Sequence, residues 1–163
     1  MASVSDLKRA IPNLRCYSRA LTGDPGVADD LVENCLHTAA DIFETVPQNG
    51  VRIWLFTMLH AVILRNALSG RRPRPANTPA RWPPRETHVA DSREPGLQLA
   101  FRALGFAQKA VLFLMAIEDF SDQEAAIITR MTVHNVRKAL REALDQLSAL
   151  PLGFVALKQD GSA

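Results

Sequence analysis

Length, composition and charge exclude several classes of protein. The chain has 163 residues, of which 47% are hydrophobic and 22% are charged, which indicates one ordinary domain or two small helical ones and excludes a disordered tail. The formal net charge is only +2, so any attraction to nucleic acid depends on how the charges are distributed. The most apolar run, 53–64, contains His60 and is shorter than the ~20 residues of a membrane span, and residues 1–14 lack the apolar core of a signal peptide. We therefore predict a cytoplasmic protein without membrane insertion.

Apolar residues recur at helical spacing three times before residue 70. The pattern predicts helices over 4–21, 25–43 and 51–68. Pro12 is expected to restart the first helix after a short turn, and Gly23 to end it. Asp24 followed by Pro25 is typical of a helix cap and first turn. The third helix is apolar on most of its circumference, as in a central helix packed on two neighbours. We predict that residues 1–69 form one three-helix module.

A second helical module is predicted after a proline-rich linker. Residues 70–95 contain six prolines and few apolar residues, which interrupts any helix. Helical spacing then returns over 96–104, 106–117, 121–129 and 132–150. No β-alternation of useful length occurs. The predicted fold class is all-α, with two small helical domains, 1–69 and 96–150, joined by the linker and followed by a tail at 151–163.

The charges are segregated along the chain. Between residues 20 and 44 there are six acidic side chains and no Lys or Arg, whereas residues 45–85 contain seven arginines and no acidic side chain. The first module is therefore expected to have an acidic face and a basic edge.

The most specific motif lies in residues 120–140, which have the pattern of a helix-turn-helix. Ser121 and Glu124 are spaced as a capping box, and Thr132 can cap the second helix. The apolar residues expected to face inward are Val133, Val136, Leu140 and Leu144. The residues expected to contact phosphates and base edges in a major groove are Arg130, Thr132, His134, Asn135, Arg137, Lys138 and Arg141. An ordinary helical hairpin with a solvated charged face is the alternative to DNA binding.

Together with three earlier segments, this motif resembles the sigma-70 factors of bacterial RNA polymerase, specifically the compact extracytoplasmic-function (ECF) group. Residues 14–24 (LRCYSRALTGD) are similar to the family's opening helix, and residues 28–34 (ADDLVEN) to its polymerase-docking helix. Residues 54–57 (WLFT) match the start of the helix that engages the melted promoter element. The helix-turn-helix resembles the domain that reads the upstream (minus 35) element. The resemblance depends on the order and spacing of these motifs and spans nearly the whole chain.

The resemblance implies a two-domain specificity subunit for transcription initiation whose partners are core RNA polymerase, promoter DNA and an anti-sigma factor. The residues that would dock on the polymerase are Asp29, Asp30, Glu33 and Asn34. The residues that would contact the minus 10 element are Asn49, Arg52, His60, Arg65, Asn66, Arg71 and Arg72. Of these, Asn49 would lie in the loop that holds a flipped base. No cofactor and no metal are expected.

The chain departs from the family's pattern at several of these positions. The family usually has Gln-Glu at Glu33-Asn34, Asn at Ala61 and Asp at Arg65, so the minus 10 region is atypical. In the helix-turn-helix, Arg130 replaces the customary turn glycine, which costs about 1 kcal/mol if that position is left-handed. The promoter preference of the family therefore cannot be transferred to this chain.

Other classes of function account for the sequence less well than a sigma factor does. A sigma-like mimic would bind an anti-sigma factor and free another sigma factor without binding promoters, but it would not need the basic side chains of the helix-turn-helix. A self-sufficient helix-turn-helix repressor leaves the acidic second helix unexplained. Catalysis is not expected, because the histidines are scattered and no nucleophile or phosphate-loop motif occurs.

Overall fold

The computed structural model describes residues 4–42, 50–70 and 100–149, apart from the side chains of 4–7. Its six helices are α1 (Val4–Thr22), α2 (Pro25–Ile42), α3 (Val51–Ser69), α4 (Phe106–Ala116), α5 (Asp122–Thr129) and α6 (Val133–Ser148). A helical stretch at 100–103 precedes α4. The described ranges contain helices and turns and no strand, which confirms the predicted all-α class. The loop that carries Asn49, linker residues 71–95 and the tail lie outside them.

α1 and α2 meet at the boundary that the sequence predicts. Gly23 follows α1 with a φ of 72°, a left-handed conformation that glycine adopts without steric cost. The Asp24 carboxylate then accepts hydrogen bonds from the backbone N–H groups of Gly26 and Val27 at 2.8 and 3.0 Å. Asp24 is therefore the predicted cap of α2.

α1 runs unbroken through Pro12, so the predicted restart of the helix at this residue is wrong. Proline removes one backbone hydrogen bond from a helix interior. Leu14, Tyr17 and Leu21, on one face of the same helix, all lie in the core. Tertiary packing of this face outweighs the lost hydrogen bond.

α3 is the central helix that its apolar circumference predicts. It packs against α1 and α2 and also against α5, and it buries Leu55, Phe56, Leu59 and Ile63. Its length and composition also meet a criterion for a membrane span, which the core helices of soluble proteins meet as well. Five of its apolar side chains are buried inside the protein, and Ile53, Trp54, Met58 and Val62 are partly buried against the core.

α5 and α6 form the predicted helix-turn-helix. The Ser121 hydroxyl accepts a hydrogen bond from the Glu124 backbone N–H at 3.2 Å, and the Glu124 carboxylate accepts one from the Ser121 backbone N–H at 2.8 Å, which completes the capping box. Thr132 caps α6 by accepting from the Asn135 backbone N–H at 3.2 Å. Arg130, between the helices, has a φ of 55° and a ψ of 34°. The left-handed position is therefore occupied by an arginine, at a cost of about 1 kcal/mol.

One inward position predicted for α6 is wrong. Val136 is buried and Val133 and Leu140 are partly buried, but Leu144 is 50% exposed. The buried stripe continues through Ala143, so the helical rotation of about 100° per residue places Leu144 at the edge of the stripe.

The two groups of helices, α1–α3 and α4–α6, share one hydrophobic core. Tyr17 of α1 is fully buried, and its ring centroid lies 5.3 Å from that of Phe56 in α3 and 5.4 Å from that of Phe113 in α4. Phe56 also lies 5.2 Å from Phe120, which precedes α5. The two predicted modules are thus packed against each other in this conformation, and their division into independent domains stays a prediction.

Candidate functional site

The outer face of α6 presents the hydrogen-bond donors expected of a recognition helix. Its exposed polar side chains include His134, Asn135, Arg137, Lys138 and Arg141. Val136, Ala139 and Ala143 are buried on the other face and attach the helix to α4. At the start of the helix, Arg130 and Thr132 are exposed, although Thr132 uses its hydroxyl as the cap. Six of the seven predicted residues in this group therefore keep side chains that a duplex can reach.

Two of the cations on α6 are paired with carboxylates in the structure. The Arg137 guanidinium donates from Nε to Asp122 Oδ2 at 2.7 Å and also from Nη2. Chiefly because of this hydrogen bond, the pKa of the Asp122 carboxyl is lowered. Lys138 Nζ lies 3.9 Å from Glu142 Oε1. Solvent-exposed pairs of this kind contribute little free energy, so DNA phosphates can compete for both cations.

The predicted docking residues on α2 divide into one structural residue and three accessible ones. The Asp29 carboxylate accepts hydrogen bonds from Arg19 Nη2 at 3.0 and 3.1 Å, which ties α2 to α1. Asp30 is half-buried, whereas Glu33 and Asn34 are exposed. A protein partner that approaches this face of α2 would meet Asp30, Glu33 and Asn34.

The structure describes four of the seven predicted minus 10 residues, all of them on α3. Arg65 is exposed and Asn66 is half-buried in the last part of α3. Arg52 and His60, on the same helix, are engaged with other residues of the protein. The remaining three predicted residues lie outside the described residues: Asn49, Arg71 and Arg72.

His60 is a buried neutral side chain at the junction of the two modules. Its Nδ1 lies 2.7 Å from the Tyr17 hydroxyl, and its ring centroid lies 5.6 Å from that of Phe106 in α4. Burial, and then the charge of Arg130, lower the pKa of His60 to about 4. Burial also raises the pKa of Tyr17, so the phenol stays protonated, and one hydrogen bond joins its oxygen to Nδ1 of the neutral imidazole. In this conformation His60 is not a cation that could contact phosphate.

A cleft between α3 and the helix-turn-helix is lined by residues from two of the predicted groups. Its cavity has a volume of about 450 Å³ and is lined by residues that include Leu64 and Leu68 of α3 and Ile128 of α5. Arg65 and Arg130 also line it. One comes from the predicted minus 10 group and the other from the helix-turn-helix, a proximity that the sequence analysis did not predict.

The sequence analysis also missed Glu118, in the turn that follows α4. Its carboxylate Oε2 accepts hydrogen bonds from Arg52 Nη2 and from Asn13 Nδ2, each at 2.9 Å. These donors lie 66 and 105 residues away in the sequence, so no local pattern could reveal the contact.

The described residues contain no group of three or more His, Cys, Asp or Glu side chains that could hold a metal ion. Cys16 is exposed and Cys35 is buried, both as free thiols. The expected lack of a cofactor and of catalysis stays a prediction.

Comparison with known proteins gives the same class as the geometry. The sequence model of a family described as the Sigma2 domain of PhyR matches residues 7–60. A curated relative, the ECF RNA polymerase sigma factor EcfG of Rhodopseudomonas palustris (strain TIE-1), is 29% identical over 152 residues, which cover 89% of this chain and 82% of that protein.

Two solved structures have the same fold. The PhyRSL-NepR complex from Sphingomonas sp. Fr1 matches with a TM-score of 0.70 and 22% identity, over 100% of this chain and 97% of that one. The sigma factor RpoE of Bartonella quintana, in complex with the anti-sigma factor NepR, matches with a TM-score of 0.67 and 21% identity, over 88% and 92% of the two chains.

The chain, with its acidic helix, its central apolar helix and its helix-turn-helix, is thus similar to sigma-like proteins in sequence and in fold. In sequence it is similar to the ECF sigma factor EcfG and, over residues 7–60, to the Sigma2 domain of PhyR.

Proposed function

We propose that this protein is an ECF-type sigma factor that directs RNA polymerase to specific promoters. α6 would read the upstream element, while α3 would follow the phosphates of the opened minus 10 region. Asp30, Glu33 and Asn34 on α2 would dock on core polymerase. The observation that supports this proposal most is the exposed donor face of α6 on a chain that also carries a separate accessible acidic helix. A specificity subunit needs both, because one surface must bind a protein and the other a duplex.

The third proposed partner is an anti-sigma factor. Both similar structures are complexes with NepR, and we infer a regulator of that kind for this chain. Large apolar side chains of the second module are exposed and available to a protein partner: Ile117, Ile127 and Leu144. With polymerase and promoter as its other partners, the protein is expected in the cytoplasm.

A sigma-like mimic is the second candidate. It would occupy an anti-sigma factor and free another sigma factor without binding promoters itself. Two observations favour it. The first module matches the Sigma2 domain of PhyR, and PhyR of Bartonella quintana is an anti-anti-sigma factor seen in complex with the anti-sigma factor NepR. In addition, the half-exposed Arg52 and the buried His60 are bonded to other residues of this protein. The exposed donors of α6 favour the sigma factor.

In vitro transcription with purified core polymerase separates the two candidates. The template would be a library of genomic fragments from the source organism, and core polymerase alone would be the control. RNA from a specific start site, absent in the control, identifies a sigma factor. Absence of such RNA together with tight capture of a purified anti-sigma factor identifies a mimic, and absence of both results contradicts both candidates.

A further inference from the structure

The Glu118 carboxylate connects the second module to both α1 and α3. The Glu118 side chain is only 4% exposed. Its Oε2 accepts from Arg52 Nη2 in α3 and from Asn13 Nδ2 in α1, each at 2.9 Å. The Glu118 backbone carbonyl also accepts from Arg52 Nη2. All the donors to this residue's side chain therefore come from the first module.

Other groups of the second module also face Arg52. The guanidinium carbon of Arg52 lies 4.2 Å from the centroid of the Phe120 ring, a cation–π geometry. The pKa of the Glu124 carboxyl is lowered by its hydrogen bonds with Ser121 and, to a smaller extent, by the charge of Arg52. The second module thus contacts one side of this arginine with a carboxylate, a carbonyl and an aromatic ring, and a second carboxylate lies farther away, while 49% of the Arg52 side chain stays exposed.

We propose that Glu118 is an internal substitute for a DNA phosphate, which withholds Arg52 from nucleic acid while the two modules are packed together. Carboxylate and phosphate oxygens are equivalent acceptors for a guanidinium. Nη2 of Arg52 already serves two oxygens of Glu118, so a phosphate must displace Glu118 to bind this group in the same way. The inference rests on the proposed function only in assigning Arg52 to the promoter strands.

The burial of Glu118 explains why the contact would act as a lock. A buried carboxylate is costly unless it is paired and hydrogen-bonded, so the closed arrangement depends on Arg52 and Asn13 staying in place. When the modules separate, water can solvate Glu118 and Arg52 becomes free. Opening and DNA binding are then coupled, and by thermodynamic reciprocity each favours the other.

The test replaces Glu118 by Gln in the full chain, which keeps the side-chain shape and removes its charge. Spin labels on the exposed native Cys16 and on a cysteine introduced at the exposed Gln146 report the distance between α1 and α6. Cys35 does not compete for the label, because burial raises its pKa to about 11 and leaves little thiolate.

We expect Glu118→Gln to add a longer component to this distance distribution. Its affinity for labelled single-stranded DNA of mixed sequence should rise about fivefold, and the salt dependence should steepen by up to ~0.7 log units for one added phosphate contact. Adding Arg52→Ala should abolish the gain in affinity. The matched control, Asp145→Asn, neutralises an exposed carboxylate of the same module and should change neither measurement.

Unchanged distances and unchanged DNA affinity in Glu118→Gln overturn the proposal. So does opening without a gain in affinity, or a gain that persists after Arg52→Ala. If Glu118→Gln does not fold, Asn13→Ala removes the second donor to the same oxygen from an exposed position on α1 and should open the chain in the same direction. Transcription with polymerase tests the proposed function separately. If the variant opens and binds DNA through Arg52 but yields no transcript, the proposed role of Glu118 is supported and the assignment as a sigma factor is contradicted.

Discussion

Arg130 stores backbone strain in the turn between α5 and α6, because its φ of 55° is left-handed. Arg130→Gly should relieve that strain. Arg130→Ala also removes the long side chain but leaves the backbone strain in place. We expect the glycine variant to exceed the alanine variant in free energy of unfolding by about 0.5–1 kcal/mol, the relieved strain less the larger unfolded-state entropy of glycine. Urea denaturation measures the difference, and equal stabilities would show that the turn is unstrained.

His60 predicts a pH dependence of stability. Its pKa of about 4 in the folded protein lies below its ordinary value of 6.5, so the unfolded chain takes up the proton first as the pH falls. The stability contributed by neutral His60 should be complete above about pH 6.5 and lost progressively down to about pH 4, on the order of 3 kcal/mol in total. His60→Gln provides the reference without this group.

The measurement is the free energy of unfolding of the native chain and of His60→Gln at several pH values. The difference between the two should decline as the pH falls from about 6.5 to about 4, which cancels the contributions of other titrating groups. A constant difference across this range would contradict the buried neutral state of His60.

At this scale, what the sequence could predict depends on the distance between partners along the chain. The caps at Asp24, Ser121 and Thr132 are local, since each side chain bonds within three residues of itself. The partners of Glu118 and the bond between Tyr17 and His60 join distant segments. Such contacts depend on how the helices pack, which a local pattern does not encode.

At the scale of elements, the pairing of α6 predicts that some substitutions weaken DNA binding and that another strengthens it. Replacing Arg137 and Lys138 by Ala should weaken binding to the upstream element and flatten its salt dependence by up to ~0.9 log units per lost phosphate contact. Asp122→Asn should instead strengthen binding, because Asp122 pairs with the Arg137 guanidinium in the free protein. Fluorescence anisotropy with a labelled duplex at several salt concentrations measures both. Unchanged binding in the double variant would refute the recognition face.

α2 predicts a result for polymerase binding. Asp30→Lys together with Glu33→Lys should abolish association with core polymerase, since it reverses the charge of the accessible part of the face. Asp145→Lys together with Glu142→Lys, which reverses the same number of charges at exposed positions on α6, should leave association unchanged. Co-purification with core polymerase is the measurement. Normal assembly of the Asp30 and Glu33 variant would exclude the docking assignment.

The helices themselves were predictable because their apolar stripes have the helical period, and their order carries the resemblance to sigma factors. Their predicted sites were only partly accessible. Asp29 and Arg52 have the residue types that surface recognition requires, yet one binds Arg19 of α1 and the other binds Glu118. A charged residue at a suitable spacing serves a neighbouring helix equally well, and only the packing distinguishes the two uses.

At the scale of the whole molecule, the shared core predicts that the two modules unfold together. Phe113 of α4 is 5% exposed and packs against Tyr17 of α1. Phe113→Ala should lower the free energy of unfolding by about 3–5 kcal/mol. In a Trp82→Phe background, fluorescence of Trp54 in α3 reports the first module and far-UV circular dichroism reports all helices. Both should move to the same lower urea midpoint.

An unchanged Trp54 transition in Phe113→Ala would mean that the first module unfolds by itself. The sequence predicted two modules and a linker, but it could not predict how they pack. A chain of ~26 linker residues permits many relative positions. The aromatic contacts between Tyr17, Phe56, Phe113 and Phe120 select the packed arrangement.

The continuity of that aromatic cluster also constrains how such proteins can be recombined. A chimaera that takes α4–α6 from a similar protein must carry aromatic side chains of matching size on both sides of the seam, the contact between α1–α3 and α4–α6. Otherwise apolar surface will be left facing water. Grafting only the outward residues of α6 leaves the seam intact. On the proposed function, a change of promoter preference is therefore easier to engineer by point replacement on that helix than by exchange of whole halves.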